Sequence, residues 1–285
     1  LSTRLEAFAE TMIPAQPTVK KGGNAMSGGR YYVGIDSGST STDVAILDRN
    51  RQLVAGVILP TGAGASAGAE RALEQALRQA GLTEADIAAT VTTGYGRSAI
   101  QMGDKSITEI TCHAKGAYFL DSSVRTIIDI GGQDSKVIRL DDQGNVVNFL
   151  MNDKCAAGTG RFLELMARTL ELSMEEMSWA GLEWKEDIAI SSMCTVFAES
   201  EVVSLIAQNK DRGDIIHGLN QSVASRTAAL CRRLGGEPNY MMTGGVSKNR
   251  GVVEAIQREL GVELIVSDRA QLNGALGAAL FALEG

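Results

Sequence analysis

The sequence predicts an α/β protein with two lobes. Three short apolar strands are expected after residue 30, at residues 31–36, 43–48 and 52–59, and a helix and a further strand follow them. The same order of strands restarts near residue 126. Because a chain of 285 residues exceeds the common size of one domain, we interpret the repeat as a second lobe.

The first lobe is predicted from local patterns along the chain. Arg49 and Asn50 form a tight polar turn that joins two strands into a hairpin. Residues 69–80 place apolar side chains at helical spacing, and the pattern stops at Gly81. A strand at residues 87–92 follows, so a helical crossover extends the meander, as expected in an α/β lobe.

The second lobe begins in the same way. Residues 126–130 enter a glycine turn, residues 136–140 return, and a polar turn leads into residues 146–151. In both copies an aspartate, Asp36 or Asp129, ends a buried strand beside a glycine-rich turn. We therefore expect two similar hairpins that face each other across a polyphosphate site.

The aspartates and the glycine turns together predict a site for magnesium and phosphate. Glycine lets the backbone approach a phosphate, and amide and hydroxyl groups donate hydrogen bonds to it. A carboxylate this close to phosphate needs a cation between them, so we expect Asp36 and Asp129 to bind Mg²⁺. One such turn alone is equally consistent with a structural role, but the second copy favours binding. The expected phosphate-binding residues are Ser37, Gly38, Ser39 and Thr40 in the first turn and Gly131 and Gly132 in the second.

A third glycine-rich segment, residues 242–249, follows a predicted strand and opens a helix at about Arg250. A loop at a helix N-terminus is suited to pack against the sugar and base of a nucleotide. Three unrelated glycine turns are the alternative interpretation, and the recurrence of the pattern disfavours it. The expected adenosine contacts are Gly244, Gly245, Val246 and Asn249.

These three segments resemble the two phosphate loops and the adenosine loop of the superfamily of actin, chaperone ATPases and sugar kinases. The resemblance spans about residues 31–283 and implies two ribonuclease-H-like lobes hinged around ATP. It also implies that residues 108–120 and 270–283 cross between the lobes. The predicted divisions are a disordered N-terminal arm or non-native remnant at 1–30, lobe I at 31–125, lobe II at 126–268, and a C-terminal helix at 269–285 that returns to lobe I.

Two of the four cysteines have surroundings suited to an anionic sulfur. Cys155 and Cys194 each precede a predicted helix, where the amide dipoles favour a thiolate, and we expect the amides of Gly158 and Gly160 to face the Cys155 sulfur. The other two, Cys112 and Cys231, lie in apolar helical patterns and are expected to pack as small hydrophobic residues. Scattered cysteines without a secretory signal predict a reducing compartment, the cytoplasm.

An iron-sulfur cluster of the 4Fe-4S type commonly needs four thiolates, and a twofold dimer would supply them from two suited cysteines per chain. Zinc is the rival metal, but it favours closely spaced ligand pairs, and no histidine is near either cysteine in the sequence. We expect His113 and His217 to be surface or helix-packing residues.

Three segments closely resemble the ATP-dependent activators of 2-hydroxyacyl-CoA dehydratases, which are related to the BadF/BadG-type ATPase subunits of benzoyl-CoA reductase. The segments are residues 129–136, 152–164 and 194–201. The resemblance implies a homodimer with one oxygen-sensitive 4Fe-4S cluster bound by Cys155 and Cys194 of each subunit. It implies ferredoxin or flavodoxin as the electron donor and a dehydratase or reductase as the acceptor.

Hydrolysis of ATP requires a residue that positions water. Gln133 follows the paired glycines of the second turn and is the first candidate, with Asp134 and Glu109 as alternatives. A glutamine here is equally suited to hydrogen-bond the turn itself. Two other functions stay open, a small-molecule kinase of the sugar-kinase type and a nucleotide-dependent regulatory protein.

The composition disfavours two classes of partner. A net charge of −7 and a pI near 5.0 give nucleic acid and anionic membranes nothing to attract them. The sequence also has no apolar run near the roughly 20 residues that a membrane-spanning helix requires. We therefore expect neither nucleic acid nor a membrane as a partner.

Overall fold

The computed structural model describes residues 31–152, 155–190 and 194–285. Its framework is a pair of five-stranded mixed sheets with helices packed against them. The predicted arm at residues 1–30 lies outside the described residues.

The first sheet contains the predicted meander and two strands that join it in parallel. Its strands are β1 (Tyr31–Ser37), β2 (Ser41–Asp48), β3 (Leu53–Pro60), β4 (Ile87–Thr93) and β5 (Lys105–Ser106). Strands β1 to β3 are antiparallel, β4 pairs parallel with β1, and the order is β3-β2-β1-β4-β5. Helix α1 (Ala65–Ala80) connects β3 to β4 and ends at Gly81, whose φ of 67° suits glycine.

The second sheet repeats this topology. Its strands are β6 (Thr126–Ile130), β7 (Ser135–Leu140), β8 (Val146–Asn152), β9 (Tyr240–Thr243) and β10 (Leu264–Ile265). The order is β10-β9-β6-β7-β8, with an antiparallel meander and two parallel additions beside its first strand. The repeat expected from the sequence is therefore confirmed as two sheets of the same connectivity.

Between β8 and β9 the chain forms a helical layer that covers the second sheet. Its helices are α3 (Gly160–Thr169), α4 (Met174–Ala180), α5 (Thr195–Ala207) and α6 (Arg212–Leu234). Helix α7 (Arg250–Leu260) packs beside α6. Buried side chains of all five helices share one hydrophobic core with the second sheet. None of the helices in the described ranges has the length and hydrophobicity that crossing a bilayer requires.

Two further helices connect the sheets. Helix α2 (Glu109–Leu120) packs on the second sheet, and helix α8 (Asn273–Glu284) packs on the first. They also pack against each other, and a Cβ added at Gly277 would overlap the backbone carbonyl of Cys112. Glycine at this position lets the two backbones approach closely. The pair matches the crossing segments that we expected, whereas the exact lobe boundaries stay a prediction.

Candidate active site

The candidate magnesium ligands Asp36 and Asp129 occupy equivalent positions, each the penultimate residue of the first strand of its sheet. The imidazole of His113, on α2, lies between them. Its Nδ1 is 3.4 Å from Asp129 Oδ1, and its Nε2 is 3.7 Å from Asp36 Oδ2. The two sheets therefore bring their acidic strand ends to one buried place.

The two expected phosphate loops have the same tight turn and touch each other. Gly38 N donates to the carbonyl three residues later at 2.9 Å, and Gly131 N does so at 3.0 Å. A Cβ added at Gly132 would overlap Thr40 Oγ1. That hydroxyl is buried and has no hydrogen-bond partner among the described residues. An unpaired buried donor at the meeting point of two glycine turns fits a phosphate oxygen.

The two aspartates have opposite pKa shifts. Burial acts to raise the pKa of Asp129, but His113, Lys136 and the Thr243 hydroxyl at 2.8 Å outweigh it and lower that pKa to about 2. At Asp36 burial dominates and raises the pKa to about 6, although His113 acts to lower it. Asp36 therefore carries a weakly compensated charge at neutral pH, and a divalent cation suits it.

A third carboxyl group lies beside Asp36 on the same face of the sheet. Asp43 of β2 is directly opposite Asp36 in the strand register. Burial, and then the charge of Asp36, raise the pKa of Asp43 well above its usual range, and its Oδ1 has no hydrogen-bond partner within the described ranges. Our sequence reasoning missed this residue, although its place opposite Asp36 follows from the short turn that joins β1 and β2.

Lys136 of β7 is a buried cation among the acidic side chains. Its Nζ lies 3.1 Å from Asp129 Oδ2, 2.7 Å from Asp134 Oδ2 and 3.7 Å from Glu109 Oε1. Although burial acts to lower its pKa, the three carboxylates raise it above the usual range. Two of the three residues that we considered for hydrolysis are thus ion-paired to one lysine. The third, Gln133, is exposed at the tip of the second phosphate loop.

Lys136 is also missing from the residues that the sequence predicted for this site. It stands directly opposite Asp129 in the β6–β7 register. A lysine directly opposite a candidate magnesium ligand across a short hairpin is a signal that identifies it.

The third glycine segment lies at the end of β9. Gly244 has a φ of 81°, and a Cβ added there would overlap the carbonyl of Ile130, so this loop adjoins the second phosphate loop. Gly245 is exposed, whereas Val246 is buried in the core of the second sheet. Asn249 caps α7 by accepting a hydrogen bond from Val252 N at 3.1 Å. The role of these residues in binding adenosine stays a prediction.

The loop that contains Cys155 is attached to the second phosphate loop. Gly160 N donates to Gly131 O at 2.9 Å, and Arg161 N donates to Gly132 O at 2.8 Å. The amide of Gly160 is therefore used by the phosphate loop, and our expectation that it faces the Cys155 sulfur is wrong. Cys155 is half-buried and lies five residues before α3 begins, farther from that helix than we expected.

Cys194 is the N-cap residue of α5 and is exposed. The helix that follows has one apolar face packed against α3 and the shared core, through Ala198 and Val202. A second apolar face is exposed, and Phe197 has 68% of its surface accessible. The exposed apolar residues of this helix are Val196, Phe197, Val203 and Ile206. The exposed thiol thus adjoins an apolar surface of the kind that marks an interaction site.

The remaining cysteines and histidines are buried. Burial raises the pKa of both Cys112 and Cys231 to about 12, in agreement with the expected packing role. His217 stacks on Trp184 with 4.0 Å between ring centroids, as a helix-packing residue. Of the two expected positions for His113, surface or helix-packing, the surface position is wrong, because α2 places its buried ring between Asp36 and Asp129.

Two sheets of ribonuclease-H-like connectivity, with glycine loops and acidic strand ends that meet between them, define a two-lobed ATPase of the actin-like superfamily. Residues 33–282 match the BadF/BadG/BcrA/BcrD ATPase family, and the chain belongs to that family.

Relatives of known function support this assignment. The activator of lactoyl-CoA dehydratase from Anaerotignum propionicum is 52% identical over 254 residues, which cover 89% of this chain and 98% of that protein. The (R)-2-hydroxyglutaryl-CoA dehydratase activating ATPase from Acidaminococcus fermentans is 47% identical over 255 residues, which cover 89% and 97%.

Solved structures agree with the fold. The crystal structure of component A of the Acidaminococcus fermentans (R)-2-hydroxyglutaryl-CoA dehydratase has a TM-score of 0.86 at 47% identity, covering 90% of this chain and 98% of that one. The activator of the 2-hydroxyisocaproyl-CoA dehydratase from Clostridium difficile, with bound ADPNP, has a TM-score of 0.86 at 46% identity, covering 89% and 94%.

Proposed function

We propose that this ATPase is an electron-transfer activator. Two copies hold one 4Fe-4S cluster through Cys155 and Cys194 of each chain, and ATP drives delivery of an electron to a dehydratase or reductase. The observation that carries the proposal is the attachment of the Cys155 loop to the second phosphate loop through the Gly131 and Gly132 carbonyls. It connects the proposed nucleotide site to Cys155 through the short segment between Cys155 and Gly160.

The nucleotide part of the proposal uses the two acidic strand ends and the glycine loops. Asp36 and Asp129 would hold the Mg²⁺ ion, directly or through water, and the loop amides and the Thr40 hydroxyl would bind the phosphates. Among the three candidates for positioning water, Gln133 is favoured, because Asp134 and Glu109 are engaged by Lys136. The ADPNP bound to the Clostridium difficile relative supports a nucleotide site in this fold.

The cluster part of the proposal rests on the available thiols. Cys112 and Cys231 are buried and hard to ionise, so each chain offers Cys155 and Cys194. A cluster held by four thiolates would supply one-electron transfer, and two chains would be needed here to provide the four. The exposed apolar face of α5 next to Cys194 gives a twofold dimer a surface to bury.

Movement of the phosphate loop transmits the state of the nucleotide. The start of α3 is hydrogen-bonded to this loop, so a shift of Gly131 and Gly132 on binding or hydrolysis displaces Gly160 and the segment back to Cys155. Displacing the Cys155 segment would change the dipoles and the solvent exposure around a cluster bound there, and hence its reduction potential.

The partners follow from the relatives. Two are described as activators of lactoyl-CoA and (R)-2-hydroxyglutaryl-CoA dehydratases, and a third, 31% identical, is one of the subunits of benzoyl-CoA reductase from Thauera aromatica. We propose an acceptor of this class, a ferredoxin or flavodoxin donor, and a reducing, anaerobic cytoplasm as the setting.

Iron analysis of the native protein tests the proposal. Protein purified without oxygen is expected to be a brown dimer with about four iron atoms per dimer. In air it should lose the iron and the colour. Cys155→Ser and Cys194→Ser each remove the colour, whereas the matched controls Cys112→Ser and Cys231→Ser retain it. Stoichiometric zinc in the native dimer, or iron retained by the double variant of Cys155 and Cys194, contradicts the proposal.

A further inference from the structure

Thr61, the residue that follows β3, holds the first phosphate loop by two hydrogen bonds. Its backbone N donates to Thr40 O at 3.0 Å, and its hydroxyl donates to Gly38 O at 2.9 Å. Both acceptors are carbonyl oxygens of the loop between β1 and β2. Thr61 is 7% exposed, so water has little access to either bond. A single buried residue therefore fixes the direction of two loop carbonyls.

A neighbouring buried hydroxyl restrains the Thr61 side chain. The Gly38 carbonyl can only accept a hydrogen bond, so the single proton of the Thr61 hydroxyl is donated to it. Thr42 Oγ1 lies 3.0 Å from Thr61 Oγ1 and is then the donor of that hydrogen bond. Thr42 belongs to β2 and is fully buried. The Thr61 hydroxyl thus donates to the loop and accepts from the adjacent strand, which limits its rotation.

Helix α1 packs directly on the two threonines. A Cβ added at Gly68 of this helix would lie 2.7 Å from Thr61 O and 3.2 Å from Thr42 Oγ1, so glycine is what allows the close approach. The guanidinium group of Arg71, also on α1, donates to Thr61 O at 3.1 Å. Both the side chain and the backbone of Thr61 are therefore held in place from outside the loop.

The geometry of the peptide bond connects these carbonyls to phosphate binding. The C=O and the N–H of one trans peptide point in opposite directions. Because Gly38 O is directed at Thr61, the N–H of Ser39, in the same peptide, points away from Thr61. A carbonyl oxygen repels a phosphate, whereas a backbone N–H attracts it. The Ser39 side chain also borders the second phosphate loop, since its Oγ lies 3.5 Å from a Cβ added at Gly132.

We propose that Thr61 is a positioning residue for the first phosphate loop. By holding the carbonyls of Gly38 and Thr40, it keeps both of them away from the phosphates of ATP and presents the Ser39 N–H to them. The inference rests on the proposed phosphate-binding role of this loop, to which it adds the residue that sets the direction of the loop peptides.

Two variants separate the hydroxyl from the rest of the Thr61 side chain. Thr61→Val keeps the branched shape and the backbone N–H but lacks the donor, whereas Thr61→Ser keeps the hydroxyl. Calorimetry with Mg²⁺ and ADPNP is expected to show about tenfold weaker binding for Thr61→Val, because Gly38 O loses its buried donor and can turn toward the phosphates. Thr61→Ser should bind near-normally. Adenosine has no phosphate and should bind equally to both variants and the unaltered protein.

Thr126→Val is the matched control for the loss of a buried hydroxyl. Thr126 is also buried, and its hydroxyl donates to the backbone oxygen of Glu237 at 2.8 Å. It begins β6, whereas Asp129 and the second phosphate loop are at the other end of that strand. Thr126→Val should therefore lose thermal stability, as Thr61→Val does, but bind ADPNP normally.

The outcomes separate this inference from the proposed function. If Asp36→Asn leaves the affinity for Mg²⁺ and ADPNP unchanged, the assignment of the phosphate site itself fails. If Asp36→Asn weakens binding while Thr61→Val and Thr126→Val bind ADPNP alike, the positioning role is refuted and the phosphate site stands. An equal loss of adenosine and ADPNP affinity in Thr61→Val also refutes it.

A measurement on the unaltered protein keeps the proposal testable if Thr61→Val fails to fold. In ¹⁵N-labelled full-length chain, the NMR signal of the Ser39 amide should shift when ADPNP is added with Mg²⁺, and it should not shift with adenosine. A Ser39 signal that ADPNP leaves unmoved overturns the proposal.

Discussion

Replacing Lys136 with methionine tests the buried charge network of the active site. Methionine conserves the length of the side chain but removes its charge, which leaves Asp129 and Asp134 without their cation. The side chains of Lys136 and Asp129 are 5% and 3% exposed, so water cannot replace the lost pairing. Removing one partner of a buried pair costs about 3–5 kcal/mol. We expect about 3 kcal/mol, because Asp129 keeps the hydrogen bond from Thr243.

Thermal unfolding measures this loss against a matched control. For a domain of this size 1 kcal/mol shifts Tm by about 2–4 °C, so Lys136→Met should lower Tm by about 6–12 °C. Lys210→Met is the control, because Lys210 is 2.7 Å from both oxygens of Glu186 but both side chains are partly exposed. A surface pair contributes at most about 1 kcal/mol. Equal decreases in Tm for Lys136→Met and Lys210→Met would refute the stabilising role of the buried ion pairs of Lys136.

The same variant changes the dependence of stability on pH. The folded-state pKa of Asp129 is about 2, below its ordinary value of 3.8. A depressed pKa contributes stability above about pH 4 and loses it as the pH falls toward 2, and a shift of this size corresponds to about 2 kcal/mol. Since Lys136 supplies part of the depression, urea unfolding should show the difference between the two proteins shrinking as the pH falls below 4. A difference that is constant with pH contradicts this explanation.

Three further predictions concern the nucleotide site. Burial raises the pKa of Asp36 to about 6, so its charge destabilises the folded state above that pH. Asp36→Asn should therefore raise Tm near pH 7.5 but not at pH 4, and it should weaken Mg²⁺-dependent nucleotide binding. A lower Tm at pH 7.5 contradicts this. Gly132→Ala should weaken ATP binding about tenfold in calorimetry because its Cβ overlaps Thr40 Oγ1, whereas Gly64→Ala, which enters open space, should not. The protein should release phosphate from ATP without an acceptor, and strict dependence on an added sugar would instead support a kinase.

Local sequence signals were sufficient for the repeated framework of the fold. The strands expected at 31–36 and 126–130 are observed at Tyr31–Ser37 and Thr126–Ile130, because apolar runs that end at an aspartate and a glycine turn leave few alternatives. Helix α1 ends where Gly81 predicts but begins four residues before the expected 69. Its first turn consists of small residues without apolar periodicity, and no side chain caps it.

Asp43 and Lys136 were missed although local hairpins place them, whereas other missed parts depend on contacts between distant segments. The two-residue strands β5 and β10 are defined only by their pairing with β4 and β9. His113 has the local surroundings of an ordinary helix residue, and its place between the two aspartates emerges only when α2 and α8 bring it to the acidic strand ends. The glycines of the site could be predicted because their function is local, whereas the histidine could not.

The contacts of the second phosphate loop indicate how a change at the nucleotide reaches a cysteine. The loop touches Thr40 of the first loop on one side and is hydrogen-bonded to Gly160 and Arg161 on the other. Separating it from α3 breaks two hydrogen bonds, at about 0.5–1.5 kcal/mol each, whereas moving away from Thr40 breaks no hydrogen bond. We therefore expect the loop and the start of α3 to move as one body relative to the first loop. A nucleotide that pulls the two loops together or releases them would then displace the Cys155 segment without a separate signalling element.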